Sequence, residues 1–142
     1  MGKKANPTVE LLRKVNLFDG LTTKELETVA GECKRAEFRA GANIVTQGDR
    51  SARLYVITDG TAEVRVHETK VDEIGPGDYF GEMAVIDGLP RAATVTATSP
   101  VSALTLADFN VKALLRSMPD LGLKMLRTAC ARIRALESEP II

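Results

Sequence analysis

The chain has 142 residues, of which 44% are hydrophobic and 27% are charged, and its formal net charge at pH 7 is zero. This length suits one domain with a sizeable core, and the ordinary apolar content excludes a disordered chain. The balanced charge gives no basic footprint for nucleic acid, and no apolar run is long enough for a membrane span or a signal peptide.

Two short helices are predicted over about residues 8–33. Thr8 is the predicted cap of the first helix, which is expected to run to Val15. Thr22 and Glu25 have the spacing of a capping box and are expected to open the second helix. The apolar residues predicted to face the core are Val9, Leu12, Val15, Leu26, Val29, Ala30 and Cys33.

Short strands are predicted over about residues 36–106, where the hydrophobic period changes to two. The dipeptide Asp59-Gly60 follows an apolar run and predicts a hairpin turn. A strand with one dry face is expected after it, and His67 is assigned to its solvated face. Many short strands at close spacing favour a sandwich or a barrel over a parallel sheet.

Two C-terminal helices are predicted over about residues 107–138, and Pro119 is expected to end one and begin the next. The last helix carries two apolar rows, Leu123, Leu126, Cys130 and Ile133 in one and Leu121, Met125 and Ala129 in the other. Two interpretations stay open: both rows belong to the core, or one row covers the domain and the other contacts a second copy in a homodimer.

The stretch 75–95 carries the chemistry of the chain. Gly81 permits close backbone approach, and Glu82–Ile86 has the length of one or two helical turns. The free N–H groups of such a turn suit a phosphate, and Arg91 follows a turn that can fold it back over the same place. Glu82 would repel an anion, so it makes sense as the acceptor for a sugar hydroxyl. The pattern therefore predicts a ligand with one phosphate and one ribose hydroxyl.

The segments Phe80-Gly81-Glu82-Met83-Ala84 and Pro90-Arg91-Ala92-Ala93-Thr94-Val95 resemble the phosphate-binding cassette of the cyclic-nucleotide-binding domain family. This family includes the catabolite activator protein and the regulatory subunits of cAMP-dependent protein kinase. The resemblance runs from about Leu11 to Leu136. It implies a single domain over residues 1–142 with an α+β fold. The implied architecture is an antiparallel β-roll or jelly-roll-like barrel with a short cassette helix, flanked by N-terminal helices and two C-terminal helices.

The resemblance also implies a role for each cassette residue. Arg91 would pair with an exocyclic oxygen of a cyclic phosphate, and Glu82 would accept a hydrogen bond from the ribose 2′-hydroxyl. The other residues implied at the ligand are Phe80, Gly81, the backbone N–H groups near Met83, Ala84, Ala92 and Ala93, and, near the base, Val71 and Thr94. The alternative for Arg91 is a surface ion pair with Glu82 or Asp87, which would not require the glycine framework.

The expected ligand is cAMP, with cGMP as the second choice. Family members that favour cGMP have Thr or Ser directly after the cassette arginine, where this chain has Ala92. Arg132 or Arg134 of the last helix would stack on the base, and the alternative for each is a solvated side chain. No metal is implied, and no enzyme activity is expected, since Glu82 and Arg91 lack a metal cluster or an activated nucleophile.

These observations predict a regulatory sensor whose terminal helices move when ligand binds and signal to an effector protein. Cys33 and Cys130 lack metal or redox spacing, which predicts two buried thiols in a reducing cytoplasm. No membrane is expected as a partner. Two alternatives stay open: an interaction or dimerisation module that does not bind nucleotide, and the ligand domain of a transcription regulator. The second alternative would require DNA-binding sequence beyond Ile142.

Overall fold

The computed structural model describes residues 6–136, and within them eight strands and five α-helices form in the order expected from the sequence. The helices are α1 (Pro7–Arg13), α2 (Thr23–Glu32), α3 (Glu82–Asp87), α4 (Asp108–Ser117) and α5 (Pro119–Leu136), with a 3-10 helix at Asn16–Phe18. The strands are β1 (Lys34–Phe38), β2 (Asn43–Val45), β3 (Arg53–Asp59), β4 (Ala62–Val66), β5 (Thr69–Ile74), β6 (Tyr79–Phe80), β7 (Thr94–Ala97) and β8 (Val101–Ala107). Residues 137 and 138 of the predicted last helix lie outside the described part.

The strands form two four-stranded antiparallel sheets, with the orders β1-β8-β3-β6 and β2-β7-β4-β5. Side chains from both sheets, among them Ile57, Ala62 and Val101, share one buried cluster, so the sheets pack face to face. The helices bury their apolar faces against the other side of the first sheet, where Leu54, Leu104 and residues of α1, α2, α4 and α5 form a second cluster. The predicted α+β fold is confirmed, although the described strands pair within two separate sheets.

Asp59-Gly60 does not form the predicted hairpin. β3 pairs with β6 and β8, whereas β4 pairs with β5 and β7, so this turn carries the chain from one sheet to the other. Gly60 has a φ of +87°, and a Cβ there would lie 2.1 Å from the carbonyl oxygen of Pro100. The turn therefore needs glycine because two backbone segments meet at it.

The predicted start of α1 is wrong, and that of α2 is confirmed. Asn6 caps α1, because its Oδ1 accepts from the N–H groups of Thr8 (3.0 Å) and Val9 (3.3 Å). Pro7 occupies the first turn, where its missing N–H costs nothing. At α2, Thr22 and Glu25 form the reciprocal capping box.

His67 is exposed, as predicted, but it lies in a turn after β4 and not in the strand itself. β4 ends at Val66, and His67 and Glu68 both have positive φ, +48° and +67°. The backbone N–H of His67 donates to Oε1 of Gln47 at 2.9 Å. This contact and the tight β4–β5 connection explain why two residues other than glycine adopt a left-handed conformation.

The two apolar rows of α5 have different environments. Leu121 and Met125 are buried, whereas Leu126 and Ile133 of the other row are 63% and 48% exposed, so the interpretation that both rows are core is wrong. Cys130 is exposed, which corrects the prediction of two buried thiols. Cys33 is half-buried, and desolvation, with a smaller contribution from Glu32, raises the pKa of its thiol to about 11. It therefore stays protonated at neutral pH.

Candidate functional site

Gly81 begins α3 at a place where no other residue fits. Its φ is +95°, and a Cβ there would lie 2.4 Å from the carbonyl oxygen of Arg53 and 2.8 Å from Nη1 of Arg91. The helix then runs from Glu82 to Asp87, and Gly88 ends it with a φ of +69°. The short helix predicted from the sequence is confirmed, and its first turn is pressed against the start of β3 and the guanidinium of Arg91.

Arg91 is buried, with only 4% of its surface exposed. Its Nε donates to Oγ of Ser51 at 3.0 Å, Nη1 to the carbonyl oxygen of Gly81 at 3.3 Å, and Nη2 to that of Arg53 at 3.2 Å. The guanidinium carbon also lies 5.9 Å from the centre of the Tyr55 ring. All of these partners are neutral, so they orient the guanidinium without neutralising its charge.

Within residues 6–136, Arg91 forms no ion pair with a carboxylate. Burial lowers the pKa of its guanidinium, and the neighbouring Tyr55, Glu82 and Asp49 oppose this shift. The alternative of a surface ion pair with Glu82 or Asp87 is therefore wrong. A buried cation is costly unless an anion accompanies it, and no carboxylate of the described residues takes that place beside Arg91.

Glu82 connects the cassette to the last helix. Nη1 of Arg132 lies 3.0 Å from Oε1 of Glu82, whose side chain is only 13% exposed. Nη2 of Arg132 donates to the carbonyl oxygen of Tyr79 at 3.3 Å, and the guanidinium carbon lies 5.7 Å from the Tyr79 ring centre. In the described residues, Oε2 of Glu82 accepts no hydrogen bond, so one carboxylate oxygen remains for another donor.

A cavity of about 360 Å³ lies between these groups, β4, β5 and α5. This volume is in the range of small-ligand pockets. Of the predicted site residues, those in its wall are Val71, Phe80, Gly81, Glu82, Met83, Ala84, Arg91, Ala92, Ala93 and Arg132. Thr94 does not line it: its Oγ1 accepts a hydrogen bond from the N–H of Gln47 at 2.9 Å, and a contact with a base stays a prediction.

The wall has a polar part and an aliphatic part. The polar part is formed by Asp72, Glu82, Arg91, Arg132 and the stretch Ala92–Ala93. The N–H groups of Ala92 and Ala93 donate no hydrogen bond within the described residues. The aliphatic side chains are Val45, Val64, Val66, Val71, Ile74 and Val95. Such a cavity can hold a molecule with an anionic end, a hydroxyl and an apolar or aromatic group.

Residues 35–117, more than half of the chain, match the family described as cyclic nucleotide-binding domain. The chain belongs to this family. The match includes the cassette, helix α4 and the eight described strands, of which only the first residue of β1 lies outside it. Among residues 6–136, no three His, Cys, Asp or Glu side chains are grouped to hold a metal ion, and no helix combines the length and apolarity needed to cross a bilayer.

Similar domains are found in regulatory subunits of cAMP-dependent protein kinase and in a catabolite activator protein. The cAMP-dependent protein kinase regulatory subunit of Mycosarcoma maydis is 36% identical over 62% of this chain and 18% of its own. The regulatory domain of Toxoplasma gondii PKA, solved with cAMP, is 31% identical over 85% of this chain and 49% of its own, with a TM-score of 0.75. The Thermus thermophilus catabolite activator protein is 28% identical over 84% and 58%, with a TM-score of 0.77. The chain thus spans a fraction of the length of each relative.

Sequence reasoning missed the residues that hold Arg91 and most of the aliphatic wall. Ser51 and Arg53 are far from Arg91 in sequence, and nothing in their local pattern indicates that contact. Val64 and Val66 of β4 line the cavity, and the alternation of this strand indicates a dry face without indicating a ligand site. Arg132 was predicted to stack on a base, and the structure instead pairs it with Glu82. The two residues are 50 positions apart, and no sequence motif links them.

Proposed function

We propose that this domain is a sensor that binds cAMP in preference to cGMP and transmits binding through helix α5. The observation that carries this proposal is the buried guanidinium of Arg91, which is held by neutral groups in the wall of a cavity and has no carboxylate partner among the described residues. A cyclic phosphate supplies the missing negative charge. The T. gondii relative solved with cAMP supports this ligand class.

In this proposal, the phosphate accepts hydrogen bonds from Arg91 and from the free N–H groups of Ala92 and Ala93. Charge-assisted bonds of this kind are about twice as strong as neutral ones. The ribose 2′-hydroxyl donates to Oε2 of Glu82, which Arg132 leaves unoccupied. The base contacts the aliphatic wall, which includes Val71. The proposal requires no metal ion.

Helix α5 is the proposed output element. It reaches the cavity through Arg132, which donates hydrogen bonds to Glu82 and to the carbonyl oxygen of Tyr79. A ribose hydroxyl bound to Glu82 would therefore strengthen or weaken the ion pair between Arg132 and Glu82. Alternatively, Arg132 would leave this ion pair and stack on the base. Nucleotide binding can shift the equilibrium between two positions of α5 only by as much as the nucleotide affinities of the two states differ. The receiver would be a partner or a fused effector protein in the cytoplasm.

The role of Glu82 is tested by comparing cAMP with 2′-deoxy-cAMP in calorimetric titrations. A hydrogen bond to a carboxylate contributes about 1.5–3 kcal/mol, so the deoxy ligand should bind the native domain roughly tenfold or more weakly. In the Glu82→Gln variant, the neutral amide oxygen can still accept a hydrogen bond of about 0.5–1.5 kcal/mol, so cAMP should bind more weakly and the two ligands should differ by less than in the native domain, roughly three- to tenfold. This coupling isolates the contact between carboxylate and hydroxyl.

Glu73→Gln is a matched control, since Glu73 is an exposed carboxylate whose residue is not in the cavity wall. It should leave the discrimination between the two ligands unchanged. If the native domain bound both ligands equally, Glu82 would have no part in ribose recognition. If it bound neither cyclic nucleotide while folded, the sensor proposal would be wrong.

The preference for cAMP is tested at position 92. Ala92 is exposed beside Arg91 and lines the cavity, and a threonine there adds a hydroxyl within the wall. One new hydrogen bond contributes about 0.5–1.5 kcal/mol, so Ala92→Thr should raise cGMP affinity roughly three- to tenfold and leave cAMP affinity nearly unchanged. Ala92→Val, of similar shape without the hydroxyl, should not raise cGMP affinity. Equal gains in both variants would assign the effect to shape.

A second function is favoured by the exposed row of α5. Leu123, Leu126 and Ile133 are 47%, 63% and 48% exposed, which suits contact with a second copy or with the effector. Light scattering with and without cAMP separates the possibilities. A dimer whose molar mass is the same with and without cAMP supports a constitutive interaction module. A molar mass that changes when cAMP binds supports a switch.

A further inference from the structure

The wall of the candidate site contains a carboxylate, Asp72, to which the proposed function gives no role. The register of the second sheet aligns Val45 of β2, Val95 of β7 and Val64 of β4. Val64 is in turn opposite Asp72 of β5. Opposite residues of antiparallel strands point to the same face, and all four of these residues line the cavity. The row across the sheet therefore consists of three valines and ends in a carboxylate.

The other four charged residues of β4 and β5 lie on the opposite face of the sheet, where they pair with one another. Nη2 of Arg65 lies 2.8 Å from Oε2 of Glu63. Nζ of Lys70 lies 3.7 Å from Glu63 and 3.5 Å from Glu73. In the described part of the chain, Asp72 forms no ion pair. The two cations of these strands therefore leave the carboxylate on the cavity face without a charged partner.

A β-bulge turns Asp72 towards the cavity, and the backbone holds one of its oxygens. Lys70 and Asp72 are opposite consecutive residues of β4, so Val71 between them is the extra residue of the bulge. Oδ1 of Asp72 accepts a hydrogen bond from the N–H of Glu73 at 2.8 Å. Among the hydrogen bonds of the described residues, none reaches Oδ2. The carboxylate is thus oriented before a ligand arrives, and one oxygen is left for another donor.

Asp72 lies at the end of the cavity away from the phosphate-binding stretch. Arg91, Ala92 and Ala93 directly precede β7, whereas Asp72 is on β5, with β4 between these two strands. Two strand spacings are about 10 Å. Asp72 is also exposed, so it lies at the mouth of the cavity. A nucleotide whose phosphate is bound by Arg91 would therefore bring its base, and not its phosphate, to Asp72.

We propose that Asp72 is a specificity-determining residue that accepts a hydrogen bond from the 6-amino group of a purine base. Adenine has a donor at position 6, whereas guanine has an acceptor, O6. Adenine would thus gain a hydrogen bond to Oδ2, and guanine in the same pose would bring O6 against a carboxylate. This inference rests on the proposed function and deepens it, because it gives the preference for cAMP a cause in the wall of the cavity that is independent of Ala92.

The test is a calorimetric titration of the native domain and of Asp72→Asn with cAMP and with cyclic inosine monophosphate, which has a 6-oxo group. In the variant, the amide oxygen should keep the hydrogen bond from the N–H of Glu73, so that the amide NH₂ replaces Oδ2 and the free group becomes a donor. Because Asp72 is exposed, each hydrogen bond should change affinity about threefold. Affinity for cAMP should fall and that for the inosine ligand should rise, so their ratio should drop roughly tenfold.

Glu73→Gln is the matched control, since it removes the same charge from the same strand on the face away from the cavity. It should change the ratio less than twofold. A further comparison needs no variant: cyclic purine riboside monophosphate, which has only hydrogen at position 6, should bind the native domain about threefold more weakly than cAMP.

The inference is overturned if Asp72→Asn changes both affinities by the same factor, or if the native domain binds cAMP and the purine riboside ligand equally. A native domain that binds cAMP and gives either of these results keeps the proposed function and loses only the role of Asp72. A folded native domain that binds none of the three ligands overturns both proposals.

Discussion

Arg91→Ala is expected to lower the affinity for cAMP by roughly 30- to 3,000-fold. Removing one partner of a buried, hydrogen-bonded charge pair costs about 2–5 kcal/mol, and each 1.4 kcal/mol is a factor of ten. The effect is large because Ser51 and the carbonyl oxygens of Gly81 and Arg53 already orient the guanidinium before ligand arrives. Calorimetry or nucleotide competition measures it directly.

Two variants make this result specific. Arg91→Lys keeps the charge and loses the fork that binds two oxygens, so its affinity should lie between those of the native protein and Arg91→Ala. Arg50→Ala removes an exposed arginine close to Ser51 in sequence and should change cAMP affinity less than twofold. A thermal melt without nucleotide shows whether each variant is folded. A folded Arg91→Ala protein with native affinity would remove Arg91 from the site.

The local features of the fold were predictable from the sequence because their causes are local. The capping box of Thr22 and Glu25, the short helix after Gly81 and the break at Pro119 depend on residues a few positions apart. The predicted start of α1 was wrong because two good capping residues lie close together in the sequence. Asn6 was overlooked as the cap of α1 because Thr8, two residues later, is also a good capping residue.

Pairing between strands could not be predicted in the same way. Asp59-Gly60 has the composition of a hairpin turn, yet the strands on its two sides lie in different sheets. The reason is distant in sequence, since the Pro100 carbonyl group occupies the space next to Gly60. Composition records that a turn needs a positive φ, and it does not record which strands the turn connects.

The candidate site shows the same division. The cassette motif contains eight of the predicted site residues that line the cavity, because glycines, a carboxylate and an arginine at fixed spacing have few other uses. The environment of each charge was not predictable. Arg91 is neutralised by no described carboxylate, whereas Arg132, assigned to a base, grips Glu82. The contacts of Arg91 with Ser51 and Arg53 span 40 and 38 residues of chain, and that of Arg132 with Glu82 spans 50, which short motifs do not encode.

Gly81→Ala is expected to destabilise the domain by roughly 2–4 kcal/mol and to weaken nucleotide binding at the same time. A left-handed conformation costs an alanine about 1–2 kcal/mol. The Cβ would also lie 2.4 Å from the carbonyl oxygen of Arg53, which is fixed in place because β3 pairs with β8 at this residue. Moving this carbonyl group, or the guanidinium of Arg91 beside it, disturbs one of the three hydrogen bonds that orient Arg91.

Gly88→Ala separates the two costs, since Gly88 has a φ of +69° and nothing within 4 Å of the position of a Cβ. It should lose only the conformational part, about 1–2 kcal/mol, and keep its affinity for cAMP. Thermal unfolding measures the first effect, at roughly 3 °C for each kcal/mol in a domain of this size, and calorimetry measures the second. If the two alanine variants lost equal stability and affinity, the close approach of β3 to Gly81 would have no energetic consequence. A larger loss in Gly81→Ala on both scales would show that one glycine controls the fold of the cassette and the orientation of its arginine.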